Sequence, residues 1–232
     1  MFFTFVENFI TKKYYLLLLS GLGTTLTVTA MASLIGIILG FVLVLMQIIV
    51  LPQKFIWLQK ILNRISIFYI DLIRGTPVMV QLTFIWIVVF GSISVPRILV
   101  GGIAFGLNSG AYMAEIIRSG IRSIDKGQME AGLSMGLNRL QTFRYIIIPQ
   151  AFKNILPSFV NEIIALIKET SILCVIGGID IMRAGDIMIS NTGNAVYPLI
   201  IVAICYLSLT TFFSFIMRKI ENKIKTSGDK IC

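Results

Sequence analysis

The residues of this sequence that could do chemistry are carboxylates placed within long apolar stretches. Glu162 and Glu169 stand seven residues apart, so they share one face of a helix. No lysine or arginine stands three or four residues from Glu162. A charge at the centre of a membrane helix costs about 2.5–3.5 kcal/mol on insertion scales, and such charges usually pair or line a pathway. We therefore take Glu162 as the first candidate for a substrate contact and Asp71 as the second.

Two further pairs of opposite charge stand three residues apart, Asp71 with Arg74 and Glu115 with Arg118. Residues at this spacing are neighbours on a helix, so each pair can neutralise itself. For Asp71 and Arg74 two interpretations stay open: an ion pair that fixes the turn before Gly75-Thr76-Pro77, or contacts with a substrate. Glu115 and Arg118 are more simply interpreted as a pair at the membrane interface.

Other kinds of chemistry are excluded by what the sequence lacks. It contains no histidine, no C-x-x-C pair and no G-x-x-x-x-G-K-[ST] segment. Histidine-based catalysis, the usual zinc motifs and a phosphate-binding loop for nucleotides are therefore absent. No nucleophile–base pair is visible, so we predict neither a catalytic residue nor a metal site.

Composition identifies the elements that must hold these charges. Hydrophobic residues make up 56% of the 232 positions, charged residues 13%, and mean hydropathy is +0.90. A charged fraction about half the usual one excludes a soluble enzyme, a disordered chain and a disulfide scaffold. The sequence therefore predicts an all-α integral membrane protein. The net charge of +9 is explained by the positive-inside rule rather than by nucleic-acid binding.

Uncharged runs of about 20 residues predict five transmembrane helices within residues 14–217. They lie within Tyr14–Gln53, about Ile65–Pro96, Ile98–Ala114, Ser158–Gly177 and Ile187–Met217, the last starting near Ala195 after the turn residues Asn191–Asn194. The first run has 40 residues, so a span plus a re-entrant segment stays open as an alternative.

Basic residues predict the orientation. One side of the predicted membrane holds 14 of them, in the segments 54–64, 118–153 and 218–230, whereas the other holds only Lys12, Lys13, Arg97 and Arg183. The positive-inside rule then makes the loop 119–157 and the tail 218–232 cytoplasmic, and residues 1–13 extracytoplasmic.

The central loop has helix signals of its own. Asp125 can cap a short helix that starts near Lys126, and Gly136 suits the position after its end. We expect a second helix from Leu140 toward Ile148, ended by Pro149, with Pro157 opening the fourth span. Two interpretations stay open, a helix that docks into a partner's groove and one that rests on the lipid headgroups.

This loop resembles the EAA loop of ABC importer permeases, whose pattern is E-A-A-x-x-x-G-x9-I-x-L-P. The matching residues are Glu130, Ala131, Gly132, Gly136 and Ile146 to Pro149, with Gly132 in place of alanine and Ile148 in place of leucine. Other segments between residues 20 and 217 resemble the polar amino acid permeases of the histidine, glutamine and arginine type. They are Gly21–Leu26, Ile70–Pro77 with Gln81, Ala111–Arg118, Asn161–Glu162 and Lys168–Ile172.

The resemblance implies a type I importer core of five helices per permease subunit, in a prokaryotic cell membrane. It implies a second permease subunit, identical or homologous, a cytoplasmic ATPase dimer that binds ATP and Mg²⁺, and an extracytoplasmic amino-acid-binding protein. Coupling to the ATPase would involve Asp125, Glu130, Ala131, Gly132, Gly136 and Pro149.

The resemblance also implies a substrate pocket near the dimer axis. There, Glu162, Asp71, Glu115 and Glu169 would suit a cationic side chain such as that of arginine, lysine or histidine. Arg74 could bind the α-carboxylate, because a guanidinium matches a carboxylate bidentately. A glutamine or cystine importer is the nearest alternative. An ion-coupled transporter that uses Asp71, Glu162 and Glu169 is a third hypothesis, and the long loop disfavours it.

Overall fold

The computed structural model describes residues 9–49 and 52–228, and side chains as far as residue 220. This part of the chain contains helices and no strand. Residues 1–8 of the expected N-terminal segment and 229–232 of the expected tail lie outside the described residues. The helices are α1 (Tyr14–Ile48), α2 (Ile56–Arg74), α3 (Val78–Phe84), α4 (Arg97–Arg122), α5 (Lys126–Ser134), α6 (Arg139–Thr142), α7 (Ile148–Glu169), α8 (Ile181–Thr192) and α9 (Val196–Gly228).

The long helices agree with the five predicted spans. By length and composition Tyr14–Ile48 and Val196–Ile220 can each cross a membrane, and the bent pair Gln53–Arg74 and Val78–Val89 counts as a third span if taken together. With 26 and 22 residues, α4 and α7 reach about 39 and 33 Å, enough to cross despite their charges. Because α1 is one uninterrupted helix of 35 residues, the alternative of a re-entrant segment there is wrong.

The second span differs from the expected single helix. It bends by 103° between Gln53–Arg74 and Val78–Val89. Gly75 follows the last residue of α2, and its N–H donates to the carbonyl of Asp71 at 2.8 Å. The helix does not continue through Pro77, because proline has no N–H to donate. The bend brings the last turn of α2 and the first turn of α3 together beside α4.

The expected roles of Pro149 and Pro157 are wrong. The chain continues from α6 through one wider turn, Phe143–Ile147, directly into α7, with Pro149 in its first turn. Pro157 lies inside α7 and does not open it. An interior proline removes one backbone hydrogen bond, and membrane helices tolerate this loss because neighbouring groups satisfy the freed carbonyl. Span four therefore begins about ten residues earlier than expected.

Glycines let α1 and α4 pack with their backbones close together. A Cβ on Gly36 would lie 2.9 Å from Ser109 Oγ, and one on Gly40 would lie 2.6 Å from Met113 Cβ. From the other side, a Cβ on Gly106 would lie 2.7 Å from Ile35 Cβ. Small residues at such positions allow membrane helices to approach closely. This seam fixes α4 in the centre of the subunit, where it carries the polar residues described next.

Candidate substrate site and coupling loop

A hydrogen bond joins the middle of α4 to α7. Ser109, the thirteenth of the 26 residues of α4, is fully buried, and its hydroxyl donates to Glu162 Oε1 at 3.0 Å. Glu162 is half-buried and forms no ion pair with any lysine or arginine that the structure describes. Its carboxylate therefore has a positioning partner within the chain but no cation to neutralise it.

Glu169 has a similar environment. It is half-buried, and within the described part of the chain it forms no ion pair, while Lys168 beside it is exposed. Seven residues of helix place Glu169 about 10 Å beyond Glu162 along α7. The two carboxylates thus lie on one side of α7, as expected, at different depths.

Of the two interpretations of Asp71 and Arg74, the local ion pair does not form. Arg74 Nη1 instead lies 3.7 Å from Glu115 Oε2 on α4, and its guanidinium lies 5.5 Å from the centre of the Tyr112 ring. Arg118 pairs with the same Oε2 atom, so the expected Glu115–Arg118 pair is present but shared. Asp71 is exposed. Arg74 is the last residue of α2, and from this position its side chain contacts α4.

Sequence reasoning gave no role to Gln81 and did not single out Asn108. Gln81 Nε2 donates to the carbonyl oxygens of Ile73 at 2.8 Å and Thr76 at 3.1 Å, which the bend leaves without helical partners. Its Oε1 accepts from Asn108 Nδ2 at 3.0 Å. Gln81 therefore ties the bend to the residue that precedes Ser109. The available signal was a polar residue shortly after Thr76-Pro77 in an otherwise apolar segment.

The loop has the local structure that its sequence predicts. Asp125 caps α5 by accepting a hydrogen bond from Gly127 N–H at 2.6 Å, and Gly136 follows the helix with φ 85°. Glu130, Ala131 and Pro149 are exposed. Gly132 is buried, and a Cβ there would lie 2.4 Å from Thr142 Cγ2. This contact explains why glycine replaces the alanine of the EAA pattern.

Large apolar side chains cover the outside of the loop. Met135 is 80% exposed, Leu140 75% and Tyr145 63%. Arg139 and Arg144, in the same segment, are exposed as well. Apolar side chains next to basic residues suit either a groove of a partner protein or a layer of lipid headgroups. Both interpretations of the loop are therefore compatible with this surface.

Comparison with known proteins identifies the family. Residues 54–226 match the family described as binding-protein-dependent transport system inner membrane component. The chain is 41% identical over 217 residues to a putative glutamine transport system permease protein of Rickettsia typhi, a match that covers 91% of this chain and 96% of the relative. It is 40% identical over 215 residues to an arginine transport system permease protein of Bacillus subtilis, covering 90% and 93%.

A solved structure described as an amino acid ABC transporter with histidines has the same fold. The TM-score is 0.82 at 40% identity, with 92% of this chain and 96% of the other covered. The methionine ABC transporter MetNI in an inward-facing conformation, at 18% identity and TM-score 0.72, supports the fold alone. The resemblance to ABC importer permeases for polar amino acids is thereby confirmed. The chain belongs to the family of binding-protein-dependent transport system inner membrane components, and within an ABC importer it is a permease subunit rather than an enzyme.

Proposed function

We propose that this permease imports a polar amino acid with a cationic side chain, namely arginine, lysine or histidine. The observation that carries the proposal is Glu162, a half-buried carboxylate whose hydrogen-bond partner Ser109 lies at the midpoint of α4. A carboxylate in a low-dielectric region is costly unless a cation meets it for part of the time. The names of the relatives, which include both an arginine and a glutamine permease, support an amino acid substrate.

The other candidate residues have subsidiary roles in this proposal. Arg74 would bind the α-carboxylate, exchanging its long 3.7 Å contact with Glu115 for a bidentate one. Glu115 keeps Arg118 as its partner when Arg74 is engaged. Asp71 and Glu169 would add negative charge that attracts a cationic side chain.

The proposed assembly contains a second permease subunit, two ATPase subunits that bind ATP and Mg²⁺, and an extracytoplasmic amino-acid-binding protein. The exposed apolar surface of the loop, with Met135 and Leu140, supports docking to the ATPase. Asp125, Glu130, Ala131, Gly132, Gly136 and Pro149 would transmit ATP hydrolysis to the permease. We infer a prokaryotic cell membrane, with the N-terminus outside and the C-terminus in the cytoplasm.

The test is Glu162→Gln in the assembled transporter, reconstituted with its binding protein in proteoliposomes. The amide keeps size and hydrogen bonding and removes the charge. Arginine uptake should fall by about one to two orders of magnitude, the scale of a charged hydrogen bond worth about 1.5–3 kcal/mol. The matched control is Asp186→Asn, a carboxylate-to-amide change in α8, where Asp186 pairs with Arg183 at 4.0 Å. Uptake should be unchanged in the control.

Three outcomes would contradict the proposal. If Glu162→Gln leaves uptake unchanged, Glu162 has no role in selectivity. If it lowers expression or melting temperature instead, its partner is structural and lies on another helix or subunit. A wild-type transporter that takes up glutamine and not arginine would favour the glutamine alternative.

A further inference from the structure

A cleft of about 610 Å³ with polar and apolar lining separates the end of α4 from the beginning of α7. It lies on the seam that the Ser109–Glu162 hydrogen bond closes. Ile116 and Ser123, which line the cleft, follow Ser109 by seven and 14 residues and so share its face of α4. On α7, Ser158 precedes Glu162 by four residues and shares its face. The cleft therefore begins about one helical turn from the candidate substrate carboxylate.

The other end of the cleft lies beside the loop. There Asn154 Nδ2 donates to Ser123 Oγ at 2.8 Å, and Ser123 directly follows α4, two residues before Asp125 caps α5. Two side-chain hydrogen bonds between α4 and α7 thus bracket the cavity. Its volume is ample for a free amino acid.

The cleft presents one group of each charge to a ligand. Lys153 is exposed and lines it, and so does Glu115. Both arginine contacts of Glu115, from Arg74 and Arg118, are made to Oε2. Oε1 is therefore left to accept a hydrogen bond from a ligand. The hydroxyls of Ser119 and Ser158 supply neutral donors and acceptors between the two charges.

We propose that this cleft is a second amino-acid site, which binds the backbone zwitterion on the loop side of Glu162. The inference rests on the proposed function, since it supposes that the substrate is an amino acid. The α-carboxylate meets Lys153 and the α-ammonium meets Glu115 Oε1. Because the α-carboxylate and the α-ammonium are common to all amino acids, the site recognises these two groups and not the side chain. A phosphate group alone fits less well, because it offers nothing positive to Glu115 and is repelled by it.

A second site of this kind would separate the selection of the substrate from its release. Glu162 would select the side chain in the middle of the subunit, whereas the cleft would hold the same molecule weakly by its backbone beside the coupling loop.

The experiment measures equilibrium binding of radiolabelled arginine and glutamine to the whole transporter complex, in nanodiscs whose lipids carry no primary amine. In a Glu162→Gln background we expect one remaining weak site that binds the two amino acids with dissociation constants within about threefold of each other. Adding Lys153→Met should weaken this site about tenfold or more for both, as expected for a lost charged hydrogen bond. The control Lys60→Met removes an exposed lysine near the start of α2 and should change nothing.

Competition with modified amino acids identifies which groups of the ligand the cleft recognises. N-acetylarginine, which lacks the ammonium, and arginine methyl ester, which lacks the carboxylate, should fail to displace glutamine from the remaining site. Unchanged binding in Lys153→Met would overturn the proposal, as would displacement of the amino acid by lipid headgroup analogues that contain phosphate alone. The proposed function is tested by a different measurement, the loss of arginine uptake in Glu162→Gln. The cleft is tested by the effect of Lys153→Met on the binding of both arginine and glutamine.

Discussion

The side-chain amide of Asn108 on α4 donates a 3.0 Å hydrogen bond to Oε1 of Gln81 on α3. The nitrogen of the same Gln81 amide donates to the carbonyls of Ile73 and Thr76 at the end of α2. One side chain therefore holds the 103° bend closed and fixes it against the helix that carries Ser109. Two consecutive residues of α4 therefore hold the parts of the site: Asn108 contacts the bend that follows Arg74, and Ser109 contacts the carboxylate of Glu162.

Gln81→Ala should destabilise the transporter and disturb the site together. It leaves the side-chain amide of the buried Asn108 without its acceptor, at about 1–3 kcal/mol for a buried group left unpaired. It also removes one donor from the carbonyl of Ile73, which keeps a 3.4 Å hydrogen bond from Thr76 N–H. We expect a lower melting temperature in detergent and reduced uptake. Gln53→Ala, at an exposed position before α2, is the control and should change neither. A normal melting temperature for Gln81→Ala would show that the bend is held by other contacts.

Gly40→Ala should be strongly destabilising, because the added Cβ would lie 2.6 Å from Met113 Cβ and 3.0 Å from the backbone nitrogen of Ala114. Overpacking of this kind costs about 1–3 kcal/mol. Gly23→Ala on the same helix is the matched control, since nothing lies within 4 Å of its Cβ and alanine is the better helix former. Thermal unfolding of the two variants should therefore shift in opposite directions or leave Gly23→Ala unchanged. Equal shifts would contradict the close α1–α4 seam.

The sequence predicts the elements well because their signals are local. Uncharged runs mark the membrane helices, and Asp125 and Gly136 mark the ends of α5, through one side-chain bond and one positive φ. The two wrong boundaries, at Pro149 and Pro157, also have a local cause. Pro149 lies in the first turn of α7, where the helix needs no N–H from it, and Pro157 lies inside α7, where a membrane helix tolerates the loss of one backbone hydrogen bond.

The partners of the site residues could not be predicted. Ser109 and Glu162 are 53 positions apart, and Arg74 and Glu115 are 41 positions apart. Spacing rules pair residues on one helix, so Asp71 is the only partner they can offer Arg74. The hydrogen bond between Gln81 at the bend and Asn108 on α4 likewise joins residues distant in sequence.

Gly136→Asp should uncouple ATP hydrolysis from uptake while the protein still reaches the membrane. Gly136 has φ 85°, a left-handed conformation in which a side chain is strained, although nothing in the chain itself lies within 4 Å of its Cβ. The effect should therefore arise at the surface that the ATPase covers. Gly193→Asp is the control, because Gly193 also has a positive φ of 62° and open space but lies between α8 and α9. Normal uptake by reconstituted Gly136→Asp transporter would refute docking through this loop, and so would equal loss in both variants.

The orientation predicts which cysteines an impermeant thiol reagent reaches. With Cys174, Cys205 and Cys232 replaced, Asn194→Cys should be labelled from outside intact cells. Lys126→Cys, at the first residue of α5, should be labelled only after permeabilisation. Lys126 is exposed and Asn194 is half-buried, so weaker labelling of Lys126→Cys in intact cells would not be due to burial. Labelling of Lys126→Cys in intact cells would reverse the assignment of the loop.

Ser109 should act on transport only through Glu162, and a double-mutant cycle tests this. Ser109→Ala removes the hydroxyl that donates at 3.0 Å to Glu162 Oε1, and the smaller side chain causes no clash with Gly36. The carboxylate then loses its orientation but keeps its charge, so arginine uptake should fall less than in Glu162→Gln. In the double variant the two losses should not add, with an interaction free energy of about 0.5–3 kcal/mol, because the hydroxyl has no charged acceptor left to position. Additive losses would mean that Ser109 contributes through packing against α1, and the site would then consist of Glu162 without its positioning residue.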